Sequence, residues 1–230
     1  MSKKRIERDD GCGFGAGPTS DAQRICAGIL ASVAWFGLVI EIVFSIQDAV
    51  AENASIATYL VNQFSRFSIQ TTTLVALVGT LAFLRPQPAS FILRPSVQAA
   101  LVVYVVVVGV VFEVLLQSDS QGIEFVDRIL HGAIPVLYLS YWLIFAPKGT
   151  LSWVDPALWL IYPLLFFVYT MMRGMIFGIY LQHVSEVIKQ GYRETFLHTL
   201  VFFAAFLAVG LILVSVDQAL AERRNRCPCG

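Results

Sequence analysis

The sequence predicts an all-α, polytopic membrane protein, a bundle of six transmembrane helices with both termini in the cytoplasm. Three observations support this prediction. Hydrophobic residues make up 57% of the chain and charged residues only 14%, with a mean hydropathy of +0.71. Soluble domains of this length rarely have such a composition. The apolar residues form six long runs, and the Lys and Arg residues concentrate on one side of these runs.

The six runs form one predicted transmembrane domain, residues 25–216. A hydrocarbon core about 30 Å thick requires roughly 20 helical residues at about 1.5 Å each, and the second and fifth runs meet this narrowly. The strands of a membrane barrel would instead be alternating segments of about 10 residues. Residues 1–24 and 217–230 are predicted tails, the first too acidic to be a cleaved signal peptide. The predicted spans are about 25–46, 67–84, 97–116, 126–146, 154–172 and 196–216.

The positions of the basic residues predict the orientation. With six spans, both tails lie on one side of the membrane, together with the connections between spans two and three and between spans four and five. That side holds eleven Lys or Arg residues, and the opposite side holds five. Because basic residues near spans favour the cytoplasmic side, we expect both termini in the cytoplasm.

Two connections on the predicted outer side are long enough to contain structure of their own. Apolar residues recur there at three-to-four spacing, which is typical of amphipathic helices at a membrane interface. Ordinary loops are an equally good interpretation. The first pattern comprises Ile56, Tyr59, Leu60, Gln63, Phe64 and Phe67, and the second comprises Leu181, Val184, Ile188 and Tyr192.

Ionisable and polar residues within the spans gather toward the outer side. Glu41 and Glu113 precede the outer ends of their spans by about four or five residues, so both lie roughly 6 to 8 Å below the surface. His131 has a similar depth in the fourth span. Such groups are costly unless they face the bundle interior, water or a partner. Because the inner halves of the spans are almost free of them, the pattern predicts a pocket open to the outer leaflet rather than a pore.

His131 is the residue of this layer best suited to proton transfer, because histidine changes charge near neutral pH. A hydroxyl beside it, from Ser68 or Thr71, would form a nucleophile–base pair. The carboxylates that could orient the imidazole are Glu113, Glu41 and Asp127. The side chains that could bind an oxyanion or a lipid carboxylate are Arg173, Gln70, Asn62 and Tyr169.

The same residues also have a purely structural interpretation. Polar side chains hydrogen-bond across helices in membrane bundles, and threonines bond to carbonyls of their own helix. Arg173, near a helix end, could extend to the outer phosphates. We expect no metal and no cofactor, because the Cys-x-Cys spacing in the C-terminal CPCG has no histidine nearby.

Three strings of the sequence carry a resemblance to a known family. They are NQFSRFSIQTTTLVAL, DRILHGAIPVLYLSYWLIFAPKGTLSW and LWLIYPLLFFVYTMMRGMIFGIY. With the ending LVSVDQALAERR, they resemble the bacterial six-span Pr6Pr membrane proteins over roughly residues 25–224. This resemblance implies a bacterial cytoplasmic (inner) membrane location.

The Pr6Pr proteins are in turn similar to the androgen-induced (androgen-dependent TFPI-regulating) membrane proteins. Those are six-span hydrolases that cleave fatty acid esters of hydroxy fatty acids with a threonine nucleophile and a histidine. The resemblance implies that His131 is the family histidine. It places Ser68 where threonine is expected, with Thr71 as a nearby substitute.

Three functions follow as alternatives. The chain could be a lipid-ester hydrolase, a lipid-binding or transport protein that uses the same pocket without chemistry, or a membrane scaffold subunit. The expected partners are the lipid bilayer and a lipid substrate or ligand, and no nucleic acid.

Overall fold

The computed structural model describes residues 21–84, 91–111, 129–177 and 192–226. These residues are helical or lie in short turns, and none of them forms a strand. The all-α prediction is therefore confirmed. The predicted second amphipathic segment lies outside the described parts of the chain, apart from Tyr192, the first residue of the last described helix.

Helix α1 covers Asp21–Ala51 and α2 covers Ile56–Phe64. The turn between them explains why α1 ends. Asn53 adopts a left-handed conformation with a φ of 51°, the N–H of Ala54 donates to Ala49, and the N–H of Asn53 donates to Val50. This is the Schellman pattern, which satisfies the last carbonyls of a helix and reverses the chain. The first predicted amphipathic segment is thus confirmed as a helix.

Helix α3 covers Phe67–Leu84, the bounds predicted for the second span, and packs along α1. Their close approach depends on a small residue. A Cβ atom on Gly79 would lie 3.0 Å from both the carbonyl oxygen of Ala27 and the amide nitrogen of Ala31. Membrane helices commonly pack through small residues in this way, because close backbones gain more van der Waals contact.

Helix α4, Pro95–Val111, follows a short 3₁₀ turn at Phe91–Leu93 and is the central helix of the described structure. Residues 99–105 are all buried, whichever way they point around the helix axis. The neighbours of α4 are α3 and three later helices, Ile134–Phe145, Asp155–Trp159 and Tyr192–Arg226. A helix that is apolar all round suits this central position.

A single π turn, Ile129–Ala133, leads into α5, Ile134–Phe145. Pro135 explains the local geometry, since a proline has no N–H and its ring clashes with the carbonyl four residues earlier, which belongs to His131. That carbonyl is directed at α4, where a Cβ on Gly109 would lie only 2.6 Å from its oxygen. The glycine therefore provides the space that the displaced carbonyl needs.

The remaining described helices are α6, Asp155–Trp159, α7, Ile161–Phe177, and α8, Tyr192–Arg226. Helix α8 begins before the predicted sixth span and continues into the predicted tail. Asp217 on α8 is fully buried, and its Oδ2 accepts the N–H groups of Gly149 and Leu151 at 2.9 and 3.2 Å. This carboxylate joins α8 to the connection between α5 and α6.

An aromatic cluster joins four of the helices. The ring of Phe67 on α3 lies 6.0 Å from Tyr104 on α4, 5.0 Å from Phe166 on α7 and 5.9 Å from Phe206 on α8, measured between ring centroids. All three pairs are edge-to-face, the geometry that aromatic quadrupoles favour. These rings form the core next to the first turn of α3, where the predicted site residues begin.

Four described helices are long and apolar enough to cross a membrane: Asp21–Ala51, Phe67–Leu84, Asp155–Ile176 and Thr199–Arg223. These helices indicate membrane integration, as predicted. Two apolar helices, Pro95–Val110 and His131–Phe145, are shorter, and each borders residues outside the described part of the chain.

Candidate functional site

Helix α2 is short, but its side chains reach both α1 and α7. It begins after Ser55, which is in an extended conformation, and ends at Ser65, whose N–H donates to carbonyls of the last turn. Consecutive residues of a helix point about 100° apart, so neighbouring residues of α2 can serve different partners. Asn62 reaches α7 and Gln63 reaches α1.

On the α1 side, the amide of Gln63 donates to the carboxylate of Glu41. Arg66 lies 3.7 Å from the same carboxylate, and it also donates to the amide oxygen of Gln63 at 3.3 Å. The side chain of Glu41 is 13% exposed, whereas that of Arg66 is 48% exposed. The predicted carboxylate within the first span is therefore paired, and its partners are on and just after α2.

On the α7 side, Nη2 of Arg173 donates to the amide oxygen of Asn62. Arg173 is only 8% exposed, and its Nη1 is buried without a hydrogen-bond partner. One turn earlier on α7, the hydroxyl of Tyr169 lies 2.9 Å from that of Ser65. Two of the predicted anion-binding residues, Asn62 and Arg173, are thus in direct contact.

Gln70 is fully engaged at both ends of its amide. Its nitrogen donates to the carbonyl of Phe64 at 3.1 Å, and its oxygen accepts from the hydroxyl of Tyr162 at 2.9 Å. These bonds join the start of α3 to the end of α2 and to α7. We call the nine side chains of this region the polar cluster: Glu41, Asn62, Gln63, Ser65, Arg66, Gln70, Tyr162, Tyr169 and Arg173.

An open groove of about 480 Å³ runs beside the polar cluster between α2 and α7. Arg173 and Tyr169 are part of its wall. The rest of the wall is apolar, and most of these side chains are exposed on the surface of the structure. They are Val61, Leu165, Val168, Met172 and Ile176. We call this the α2–α7 groove.

The two candidate nucleophiles differ in how their hydroxyls are used. Thr71 is 1% exposed, and its hydroxyl bonds to the carbonyls of Phe67 and Ser68, both at 3.0 Å. Ser68 is half-buried, and its hydroxyl forms no hydrogen bond within the described structure. Neither hydroxyl bonds to His131 in that part of the chain, so the predicted nucleophile–base pair remains a prediction.

His131 lies in the π turn and contributes to a second open groove of about 440 Å³ between α4 and α5. Gly109, Pro135, Val136 and Leu139 also line this α4–α5 groove, and no residue of the polar cluster does. The π turn packs against α1, α3 and α4. His131 therefore stands next to the helix that carries Ser68 and Thr71, while it opens toward a different groove.

Two predicted orienting carboxylates, Glu113 and Asp127, lie outside the described residues. Gln63, Ser65, Arg66 and Tyr162 were not predicted as site residues, although all four belong to the polar cluster. The signal for three of them was present, because Asn62, Gln63, Ser65 and Arg66 form a polar run at the end of a short helix. Tyr162 is distant in sequence, and only the tertiary structure brings it to Gln70.

Tyr59 is a titrating group at the base of α2, outside the long apolar helices. Its hydroxyl donates to the carboxylate of Glu52. This donated hydrogen bond, with smaller contributions from partial burial and from the charges of Glu52 and Asp48, raises the pKa of Tyr59 above its ordinary value. This contact holds the start of α2 against the end of α1.

No cluster of three His, Cys, Asp or Glu side chains suited to a metal ion occurs in the described ranges of the chain. Comparison with protein-family models, with curated proteins and with solved structures found no match. The functional argument therefore rests on the site itself.

Proposed function

We propose that this chain is an integral membrane protein that binds a membrane lipid, with the acyl chain in the α2–α7 groove and the head group at the polar cluster. The observation that carries the proposal is the position of this groove. Its wall is largely apolar and open to the surroundings of the bundle, and it also contains the buried side chain of Arg173 and the exposed side chain of Tyr169, whose hydroxyl contacts that of Ser65. Lipid-like ligands need this combination of a long apolar surface and a few polar contacts.

The proposed topology has six spans, with both termini in the cytoplasm of a bacterium and the domain in its inner membrane. The four long helices supply four spans, and the two shorter apolar helices, α4 and α5, supply the others. The excess of basic residues on the side of the termini supports the orientation. The resemblance to the Pr6Pr proteins supports the same arrangement.

A matched pair of substitutions tests lipid binding at this groove. Val168 lines the α2–α7 groove and Val136 lines the α4–α5 groove, and both are exposed valines. Replacing Val168 with Trp fills the first groove without touching the polar cluster, and Val136→Trp is the control. The purified protein is stripped of loosely bound lipid in detergent, and the lipid retained is counted by native mass spectrometry.

We expect about one lipid per chain in the parent protein, at least a tenfold loss of retained lipid in Val168→Trp, and retention in Val136→Trp. Loss of lipid in the two variants alike, or in neither, would show that the α2–α7 groove is not the binding site.

A lipid-ester hydrolase is the second candidate, favoured by the uncommitted hydroxyl of Ser68 and by the packing of the π turn against α3. Ser68 would attack the ester carbonyl while His131 takes its proton. His131 would then return that proton to the leaving alcohol, and water would release the acid. Because Thr71 is committed to its own helix, Ser68 is the better nucleophile.

Ester turnover in lipid nanodiscs tests this second candidate. If Ser68 is the nucleophile, Ser68→Ala and His131→Ala each reduce turnover of a long-chain ester by at least about 100-fold, while Thr71→Val retains most of it. Equal turnover in the parent and in His131→Ala would remove the histidine from the mechanism.

A further inference from the structure

Arg173 lies beside the α2–α7 groove with part of its guanidinium group unused. Nη2 donates to Asn62, but Nη1 is buried and has no hydrogen-bond partner among the residues that the structure describes. An arginine keeps its positive charge at physiological pH and has five N–H donors in a fixed fork. A buried cation is costly unless an anion or several acceptors compensate it. The groups that surround Arg173 therefore determine which ligand charge the α2–α7 groove favours.

No carboxylate in the described ranges of the chain compensates this charge, since Arg173 forms no ion pair there. Glu41 is engaged by Gln63 and Arg66 on the other flank of α2. Asn62 offers only a neutral amide oxygen, and the negative end of the α7 dipole is a weaker compensation than an ion pair. Among the described residues, the exposed Arg66 is paired with the carboxylate of Glu41, whereas the buried Arg173 is paired with no carboxylate.

We propose that Arg173 binds the anionic oxygen of a lipid head group, a carboxylate or a phosphate, and so makes the groove selective for anionic lipids. The proposal rests on the lipid binding proposed above and adds the chemical class of the ligand. A guanidinium group suits both anions, because its parallel N–H bonds match their paired oxygens. The remaining wall of the groove is apolar apart from the hydroxyl of Tyr169, so Arg173 is the group that distinguishes head-group charge.

Asn62 acts as a positioning residue in this site. It holds Nη2 from the α2 side and thereby leaves Nη1 as the donor available to a ligand. Because Nη1 is shielded from solvent, a side chain of the wall must move to admit the head group. Met172, which is unbranched and adjacent to Arg173, has the flexibility for this movement.

The test compares lipids that differ in head-group charge. Delipidated protein in detergent is equilibrated separately with dioleoyl phosphatidylglycerol, dioleoylglycerol and oleate, and the bound fraction is measured by native mass spectrometry. We expect the parent protein to bind at least one of the two anionic lipids about tenfold more tightly than dioleoylglycerol, which has no anionic oxygen. A preference for oleate would identify a carboxylate ligand, and a preference for phosphatidylglycerol a phosphate ligand.

Three variants separate a charge effect from a folding defect. Arg173→Gln removes the charge, and we expect it to abolish the preference while leaving dioleoylglycerol binding within about twofold of the parent. Asn62→Asp keeps the size of the side chain and gives Arg173 an internal carboxylate, so it should abolish the preference in the same way. Arg94→Gln removes an exposed arginine outside the polar cluster, and it should leave the preference intact.

The outcomes are distinct for the two proposals. If the parent retains lipid in the groove without regard to charge, or if Asn62→Asp and Arg173→Gln both keep the anionic preference, selectivity by Arg173 is refuted and lipid binding stands. If the parent retains none of the three lipids, lipid binding itself is refuted and the inference falls with it.

Discussion

Replacing Asp217 with Ala should destabilise the protein substantially, although the residue lies far from the α2–α7 groove. Its buried Oδ2 accepts the N–H groups of Gly149 and Leu151, and its Oδ1 has no partner. The substitution leaves two N–H groups without that acceptor, at about 1–3 kcal/mol each. Relief of the poorly compensated carboxylate offsets part of this cost. We expect a net loss of about 2–4 kcal/mol in the free energy of unfolding.

Asp217→Asn separates the loss of hydrogen bonds from the loss of charge. The amide oxygen can accept both N–H groups, and the amide nitrogen takes the place of the oxygen that has no partner. We therefore expect Asp217→Asn to lie within about 1 kcal/mol of the parent. The control is Ser215→Ala on the same helix, whose exposed hydroxyl bonds only to its own helix at Leu211, with an expected change below about 0.5 kcal/mol.

Equilibrium unfolding of the three variants in mixed micelles, with an increasing fraction of SDS and detection by circular dichroism, gives the free energies. The reasoning fails if Asp217→Ala is as stable as the parent, because the two backbone N–H groups would then have found other acceptors. It also fails if Asp217→Asn is as unstable as Asp217→Ala, because charge rather than hydrogen bonding would then hold the contact.

Three further predictions concern other contacts. Gly109→Ala should lower the free energy of unfolding by about 1–3 kcal/mol in the same assay, because the new methyl group would overlap the π-turn carbonyl. The control is Gly132→Ala, whose Cβ would meet nothing within 4 Å and which should cost much less. Equal costs would contradict the packing argument. Tyr104→Phe removes a 2.6 Å hydrogen bond to a carbonyl of α6, and we expect a loss of about 0.5–1.5 kcal/mol in that assay, with no loss being the result that counts against it. Glu52→Gln should lower the pKa of Tyr59 toward its ordinary value, measured by ultraviolet titration against a Tyr59→Phe reference; an unchanged pKa would rule out the carboxylate as the cause. Because the pKa of Tyr59 is raised on folding, this contact contributes fully below the ordinary tyrosine pKa of about 10 and is lost as the pH rises through the folded-state value.

The helices could be predicted from the sequence because their signals are local. Helix α3 has the bounds that the sequence predicts for the second apolar run, and the three-to-four pattern from Ile56 to Phe64 corresponds to α2. The central position of α4 could not be predicted, because an apolar span gives no indication of which faces meet protein and which meet lipid. Burial around its whole circumference is a property of the assembled bundle.

The site was predicted as a layer but not as a set of contacts. Depth along the spans placed Glu41, Gln70 and Arg173 in one layer, and Asn62 was predicted to bind an anion together with Arg173, which it does contact. Depth does not determine rotation about a helix axis, however, so it could not distinguish the flank of α2 that holds Glu41 from the flank that holds Arg173. For the same reason it could not show that His131 opens toward a different groove from Arg173.

The contacts on the two flanks of α2 also differ in when they can form during synthesis. Gln63 lies 22 residues after its partner Glu41, so that contact can form as soon as α2 has been made. Asn62 has to wait for Arg173, which follows 111 residues later. At a translation rate of about 5–20 residues per second, this delay is roughly 6–22 s. During that interval the contact of α2 with α1 can already exist, while Asn62 still lacks its partner Arg173.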